Sequence, residues 1–219
     1  MLATEGTRHG PALGWLVAGY TGLAGFFVLK GVVRERGGAS SLEDSVDDQG
    51  TTRLIVTAYG LAAVVPGLLR RFGGGRLPRA AGPVGLVIEG AGVGLRWWSM
   101  RTLRGSYSRT LRTIDDQRVI DRGPYRMIRH PGYLGSLLTW TGCAVASGSI
   151  GTVAAVASLL GAAYHRRIGA EEELLRRDLP GYSDYTDYTD RTKRLIPFIW
   201  QHDVPQGEPL TATIPASAS

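Results

Sequence analysis

YLGSLLTWTGCAVASGSIGTVAAVASLLGAAY, residues 133–164, runs without a single charged side chain. At about 1.5 Å of rise per residue, one helix of this length would overrun a hydrocarbon core of roughly 30 Å. The small residues Ser147, Gly148 and Ser149 interrupt it near the middle. The stretch therefore predicts two helices joined by a tight turn, a hairpin with no charge on either arm.

Three further apolar blocks precede the hairpin. The first, residues 13–33, is interrupted only by Lys30 and is long enough to cross a bilayer. The second, 54–69, contains Pro66, and the third, 80–100, carries Glu89 and Arg96. Neither would be assigned as a span on hydropathy alone. Glycine supports the assignment: Gly14, Gly19, Gly22 and Gly25 in the first block, and Gly82, Gly85, Gly90, Gly92 and Gly94 in the third, weaken a soluble helix but let helices approach closely in lipid. The expected architecture is an all-α, polytopic membrane protein of about five transmembrane helices, with a C-terminal helical hairpin and a polar segment on the cytosolic side. The competing reading is a soluble, glycine-rich α/β domain whose apolar runs are buried strands.

Averages over the 219 residues do not decide between these, since 43% hydrophobic content and a mean hydropathy of −0.03 mix apolar spans with charged connections. The net charge of +6 and pI near 9.8 invite a nucleic-acid reading. Yet the arginines flank apolar blocks and form no continuous face interleaved with aromatics, so anionic lipid headgroups are the expected partners and nucleic acid is not. Lysine is confined to Lys30 and Lys193 in a chain rich in Ala, Gly and Arg, which points to a GC-rich, bacterial source and hence an inner-membrane location. Cys143, alone of its kind, sits in an apolar block where packing is its expected role. The four histidines lack metal-ligand spacing, and no metal is expected.

Charge gives a mixed signal on topology. Arg101, Arg104, Arg109 and Arg112 after the third block, and Arg166 and Arg167 after the hairpin, favour one cytoplasmic side. Arg70, Arg71, Arg76 and Arg79 would then lie outside, opposite an inside loop bearing Glu43, Asp44, Asp47 and Asp48. Either the second or third block stops short of crossing, or the charge rule fails here. The first apolar block is longer than a signal-peptide core and reads as a retained span. Trp97 and Trp98 are expected to anchor a membrane interface.

The polar stretch before the hairpin reads YSRTLRTIDDQRVIDRGPYRMIRHPGYLG over residues 107–135. Gly123 and Pro124 make one turn and His130 and Pro131 a second break, each with a phenol close by at Tyr125 and Tyr133. Proline at 131 biases His130 away from helix and so places its imidazole on irregular backbone at the mouth of the fourth helix. Such backbone at a membrane edge must be satisfied by protein, water or a ligand.

GPYRMI followed by RHPGYLG resembles the integral membrane methyltransferases that include the isoprenylcysteine carboxyl and phospholipid methyltransferases. RIGAEEELL at 167–175, GYSDY at 181–185 and RTKRLIPF at 191–198 are similar to the family's C-terminal elements in the same order. The resemblance covers roughly 107–198 and implies an S-adenosylmethionine-dependent enzyme. It divides the chain into N-terminal membrane helices (1–106), a methyltransferase core (107–200) and a flexible tail (201–219). It assigns cofactor binding to Gln117, Arg118, Val119, Ile120, Tyr125, His130, Pro131, Gly132, Tyr133 and Glu171, and substrate binding to Arg167, with Arg167 and Glu171 as the catalytic pair. Gln117 stands where many relatives carry histidine, which withholds from it any role needing an imidazole.

Arg167 and Glu171, four residues apart, lie on one helix face and can address two ligands at once. Glu172 and Glu173 are expected in solvent or paired with Arg176 and Arg177. The acceptor is expected to be hydrophobic or lipid-like, and its reacting group stays open between carboxylate, amine and thiol. The alternatives are a membrane reductase of the sterol reductase type, which would use NADPH, and a non-catalytic lipid-binding membrane protein.

Overall fold

The computed structural model describes residues 10–32, 50–72, 75–103, 121–178 and 188–195. Five long helices follow in order: α1 (Gly10–Val32), α2 (Thr51–Phe72), α3 (Ala81–Leu103), α4 (Pro131–Ala146) and α5 (Ile150–Asp178), with a short 3-10 turn at Gly123–Arg126 ahead of α4. No strand forms among the described residues, which removes the α/β alternative.

The hairpin breaks where the small residues stand. α4 ends at Ala146, and the Ser147 hydroxyl donates back to the Ala144 carbonyl at 2.6 Å. Gly148 takes φ 75°, a left-handed conformation that costs glycine nothing. Ser149 then caps α5, its hydroxyl accepting the Thr152 N–H at 3.3 Å.

α3 and α4 make the most intimate pairing in the bundle and run antiparallel. Gly85 and Gly92 on α3 lie against the α4 backbone at Gly142–Ala146 and at Gly135–Thr139, while Gly135 and Gly142 lie against α3 at Arg96 and Glu89. A methyl group at any of these four positions would run into main-chain atoms of the partner helix, so the seam depends on the absence of side chains. Not every glycine serves this end: Gly90 and Gly94, expected to help, face open space. α1 lies across α3 and α4, and α2 packs on α5. Leu23, Ala58, Trp140, Cys143, Val156, Leu160 and Tyr164 form the core between them. Cys143 is fully buried there, in the packing role expected of it.

Both doubtful blocks traverse the bundle. α2 begins beside Arg167, and just beyond its end the Gly75 carbonyl accepts the Ile150 N–H at 3.2 Å, while the Leu77 N–H donates to the Gly148 carbonyl at 2.9 Å. α3 begins beside Trp15 of α1 and ends beside Gly123 of the 3-10 turn. Arg76 and Arg79 therefore sit at the hairpin tip, at the end opposite Arg166 and Arg167. Among the described residues one helix, Thr51–Leu69, is long and apolar enough to cross a membrane by length and composition, while Leu13–Val28 is apolar but shorter. Both stretches belong to longer helices, α1 running over 23 residues and α2 over 22. Trp97 and Trp98 are exposed, with the Arg101 guanidinium 4.4 Å from the Trp97 ring.

Candidate active site

The polar end of the bundle is built on the break before α4. Gly123 and Pro124 open the 3-10 turn, which buries Tyr125, and the chain then passes through Ile128, Arg129 and His130 before Pro131 starts α4 at its first helical position. His130 has φ −120° and ψ 55°, outside the helical region, as the following proline requires.

This irregular loop is held from three sides. Residues 188–195 pair with it along the backbone: Arg129 N–H donates to the Lys193 carbonyl at 2.8 Å, His130 N–H to the Arg194 carbonyl at 3.2 Å, and Lys193 N–H to the Met127 carbonyl at 3.2 Å. The Tyr188 hydroxyl donates to the Tyr125 carbonyl at 2.9 Å; burial pushes that phenol up to about 12, which keeps it a protonated donor. From α3, Arg96 reaches across the seam, its Nη1 donating to the Gly132 carbonyl at 2.9 Å and to the Ser136 hydroxyl at 2.6 Å.

Glu172 supplies the third anchor, from α5. Its carboxylate meets His130 Nε2 at 3.1 Å, Arg129 at 3.4 Å and Arg194 at 2.9 Å. Burial alone would raise its pKa, but the His130 hydrogen bond and the two guanidinium charges outweigh it and hold the carboxyl at about 2. Glu172 is 5% exposed, so the expectation that it is solvated is overturned. One helical step of about 100° separates it from Glu171, and no composition rule says which of three consecutive glutamates faces inward. Glu173 is the exposed member of the run.

Glu171 and Arg167 do share one face, and Tyr133 joins them. The Tyr133 hydroxyl donates to Glu171 Oε2 at 2.8 Å and accepts from Arg167 Nε at 3.2 Å. Arg167 is 4% exposed, and its Nη1 donates to the hydroxyls of Thr51 at 2.8 Å and Thr52 at 3.2 Å. The Tyr133 ring lies 5.8 Å from His130 and 5.3 Å from Tyr164. The arrangement thus presents a half-buried carboxylate and a deeply buried cation on the two sides of one phenol.

The structure brings His130, Tyr133, Arg167 and Glu171 together around the Tyr133 side chain, with Pro131 and Gly132 in the same loop and Tyr125 in the turn before it. Gln117, Arg118, Val119 and Ile120 lie outside the described residues. His130 has its Nε2 engaged by Glu172, and the Gly132 carbonyl is turned toward Arg96. Sequence reasoning missed Glu172, Arg129, Arg194, Tyr188, Arg96, Thr51 and Thr52. For Arg96 a signal existed, since an ionisable residue inside an apolar block marks a functional neighbourhood. The threonines carried none. No metal-binding cluster occurs among the described residues.

Residues 84–177 match the model of the isoprenylcysteine carboxyl methyltransferase (ICMT) family. The fold is similar to that of the eukaryotic intramembrane Ras methyltransferase ICMT, solved without a monobody, with a TM-score of 0.66 and 18% identity over 88% of this chain and 69% of that one. No curated protein matches in sequence.

Proposed function

We propose that this chain, whose residues 84–177 match the model of the isoprenylcysteine carboxyl methyltransferase family, is an integral membrane methyltransferase that uses S-adenosylmethionine to methylate the carboxylate of an apolar, lipid-like acceptor. The observation that carries the reading is the Tyr133 hydroxyl set between Glu171 at 2.8 Å and Arg167 at 3.2 Å.

The donor set fits the cofactor. S-adenosylmethionine is cationic at its sulfonium and its ammonium, and Glu171 offers a carboxylate at the polar end of the bundle beside the phenol of Tyr133. His130, Pro131 and Gly132 shape the adjoining backbone, and Tyr125 lies in the turn before them. When bound, the cofactor supplies a methyl group already activated on sulfur. The protein then has to align an acceptor oxygen with that methyl at about 3–3.5 Å and exclude water. Arg167 serves this need: it bonds the hydroxyls of Tyr133, Thr51 and Thr52, and a buried guanidinium stabilises an anion brought beside it. A carboxylate attacks as the anion, so no side chain need remove a proton. Methylation would turn the acceptor carboxylate into a neutral ester, with S-adenosylhomocysteine leaving, and so remove the attraction to Arg167 that held the acceptor. Product release follows from the same contact that bound the substrate.

We further place the polar end at the cytoplasmic face of a bacterial inner membrane. Among the described residues Arg53, Arg101, Arg122, Arg126, Arg129, Arg166, Arg167, Arg191, Lys193 and Arg194 lie toward that end, against Arg70, Arg71, Arg76 and Arg79 toward the hairpin tip. That imbalance supports this orientation.

The test is methyl transfer from methyl-tritiated S-adenosylmethionine by the detergent-purified protein. N-acetyl-S-farnesylcysteine and oleate serve as carboxylate acceptors, phosphatidylethanolamine as an amine. Label released as methanol by mild base is the expected outcome for the carboxylates. Label confined to the amine, or base-stable in every product, contradicts carboxyl methylation.

A further inference from the structure

Thr51 and Thr52 open α2, more than a hundred residues before Arg167 in the chain and outside the segment that matches the family. Threonine at a helix start commonly turns its hydroxyl onto its own backbone. Here both hydroxyls also reach across the bundle and accept from the same nitrogen, Nη1 of Arg167, at 2.8 and 3.2 Å. Both residues are buried, Thr51 6% and Thr52 7% exposed.

A guanidinium is planar and rigid, and a bond at Nε leaves the side chain free to pivot about it. Tyr133 holds Nε at 3.2 Å. The two threonines add a second fixed point at Nη1, and two points on a rigid plane define how it is turned. The two hydroxyls orient the cation without adding a countercharge of their own.

We infer that Thr51 and Thr52 are positioning residues that aim Arg167 at the acceptor, so that α2 forms part of the acceptor site and is more than a membrane anchor. The inference rests on the proposed role of Arg167 as the group facing the acceptor. It also accounts for an N-terminal half that carries no motif of its own: its contribution is two hydroxyls delivered to a residue of the catalytic half.

The experiment compares wild type, Thr51→Val/Thr52→Val and Thr51→Ser/Thr52→Ser, with N-acetyl-S-farnesylcysteine as the acceptor. Valine keeps the shape and removes the hydroxyls, whereas serine keeps the hydroxyls. The valine pair should lose about tenfold to a hundredfold in acceptor kcat/KM, the range expected for hydrogen bonds to a charged group. S-adenosylmethionine affinity should stay within about twofold of wild type, and the serine pair should recover most of the loss. A second measurement does not depend on turnover: the 15Nε–1Hε resonance of Arg167 should be discrete in wild type and the serine pair, and averaged or exchange-broadened in the valine pair. Unchanged kinetics in the valine pair overturn the inference. So does a parallel fall in cofactor affinity, which would make the threonines scaffold for the whole site. If wild type transfers no methyl to this probe, the proposed reaction fails, and the Arg167 resonance alone decides whether the threonines fix the guanidinium.

Discussion

Glu172→Gln is expected to cost the protein about 3–5 kcal/mol of stability and most of its cofactor affinity. Glutamine keeps the size of the side chain and removes the charge that compensates Arg129 and Arg194. Removing one partner of a buried ion cluster leaves the others uncompensated, and this penalty accounts for the size of the effect. The lowering of the carboxyl pKa from 4.5 to about 2 by His130, Arg129 and Arg194 has the same sign. The consequence is local before it is global, because Glu172 ties the His130 loop and residues 188–195 to α5. The pH dependence has a definite sign. The folded carboxyl titrates below its ordinary value, so its stabilisation is complete above about pH 4.5 and is lost as the pH falls toward about 2. Thermal unfolding in detergent across this range should show an acid transition in wild type that is absent from Glu172→Gln. A variant as stable as wild type, with the same acid transition, would show that the cluster does not hold the loop.

Arg167→Ala has a different expected signature. Its guanidinium bonds to Tyr133, Thr51 and Thr52, whereas the Glu172 cluster holds the His130 loop, so that loop should stay formed. S-adenosylmethionine affinity is therefore expected to change little. Acceptor kcat/KM should fall about a hundredfold or more, as when two charge-assisted hydrogen bonds to a reacting carboxylate are removed. Lysine should restore little, because an ammonium cannot reproduce the planar fork. Steady-state kinetics with the acceptor varied at saturating cofactor, alongside direct binding of the cofactor, separate the two effects. Full turnover in Arg167→Ala would remove Arg167 from the acceptor site.

The parts of this arrangement that were legible in the sequence are those fixed by local chemistry. The charge-free run 133–164 and its Ser-Gly-Ser break dictate a hairpin, and α4 and α5 meet there. Pro131 forces His130 off the helix, and the four-residue spacing of Arg167 and Glu171 puts them on one face. What stayed hidden depends on helical phase or on distant contact. Glu172 faces inward because α5 is docked against the His130 loop, and a run of three glutamates does not reveal that docking. Gly85 and Gly92 meet α4 whereas Gly90 and Gly94 do not, although all four look alike along the chain. The arginines around residue 76 made α2 and α3 doubtful as full-length crossings, because loop charge is a statistical guide and the pairing of 75–77 with the hairpin tip is a tertiary fact. Thr51 and Thr52 resemble any helix start until Arg167 is seen between them and Tyr133.

The most direct test of the account is calorimetric titration of the detergent-purified protein with S-adenosylmethionine, with Glu171→Ala as the control and NADPH as the competing ligand. Saturable binding of S-adenosylmethionine that is lost in Glu171→Ala and undisturbed by NADPH is the predicted result. No binding, binding of NADPH in its place, or full affinity in Glu171→Ala would contradict the site described at the junction of the His130 loop and α5.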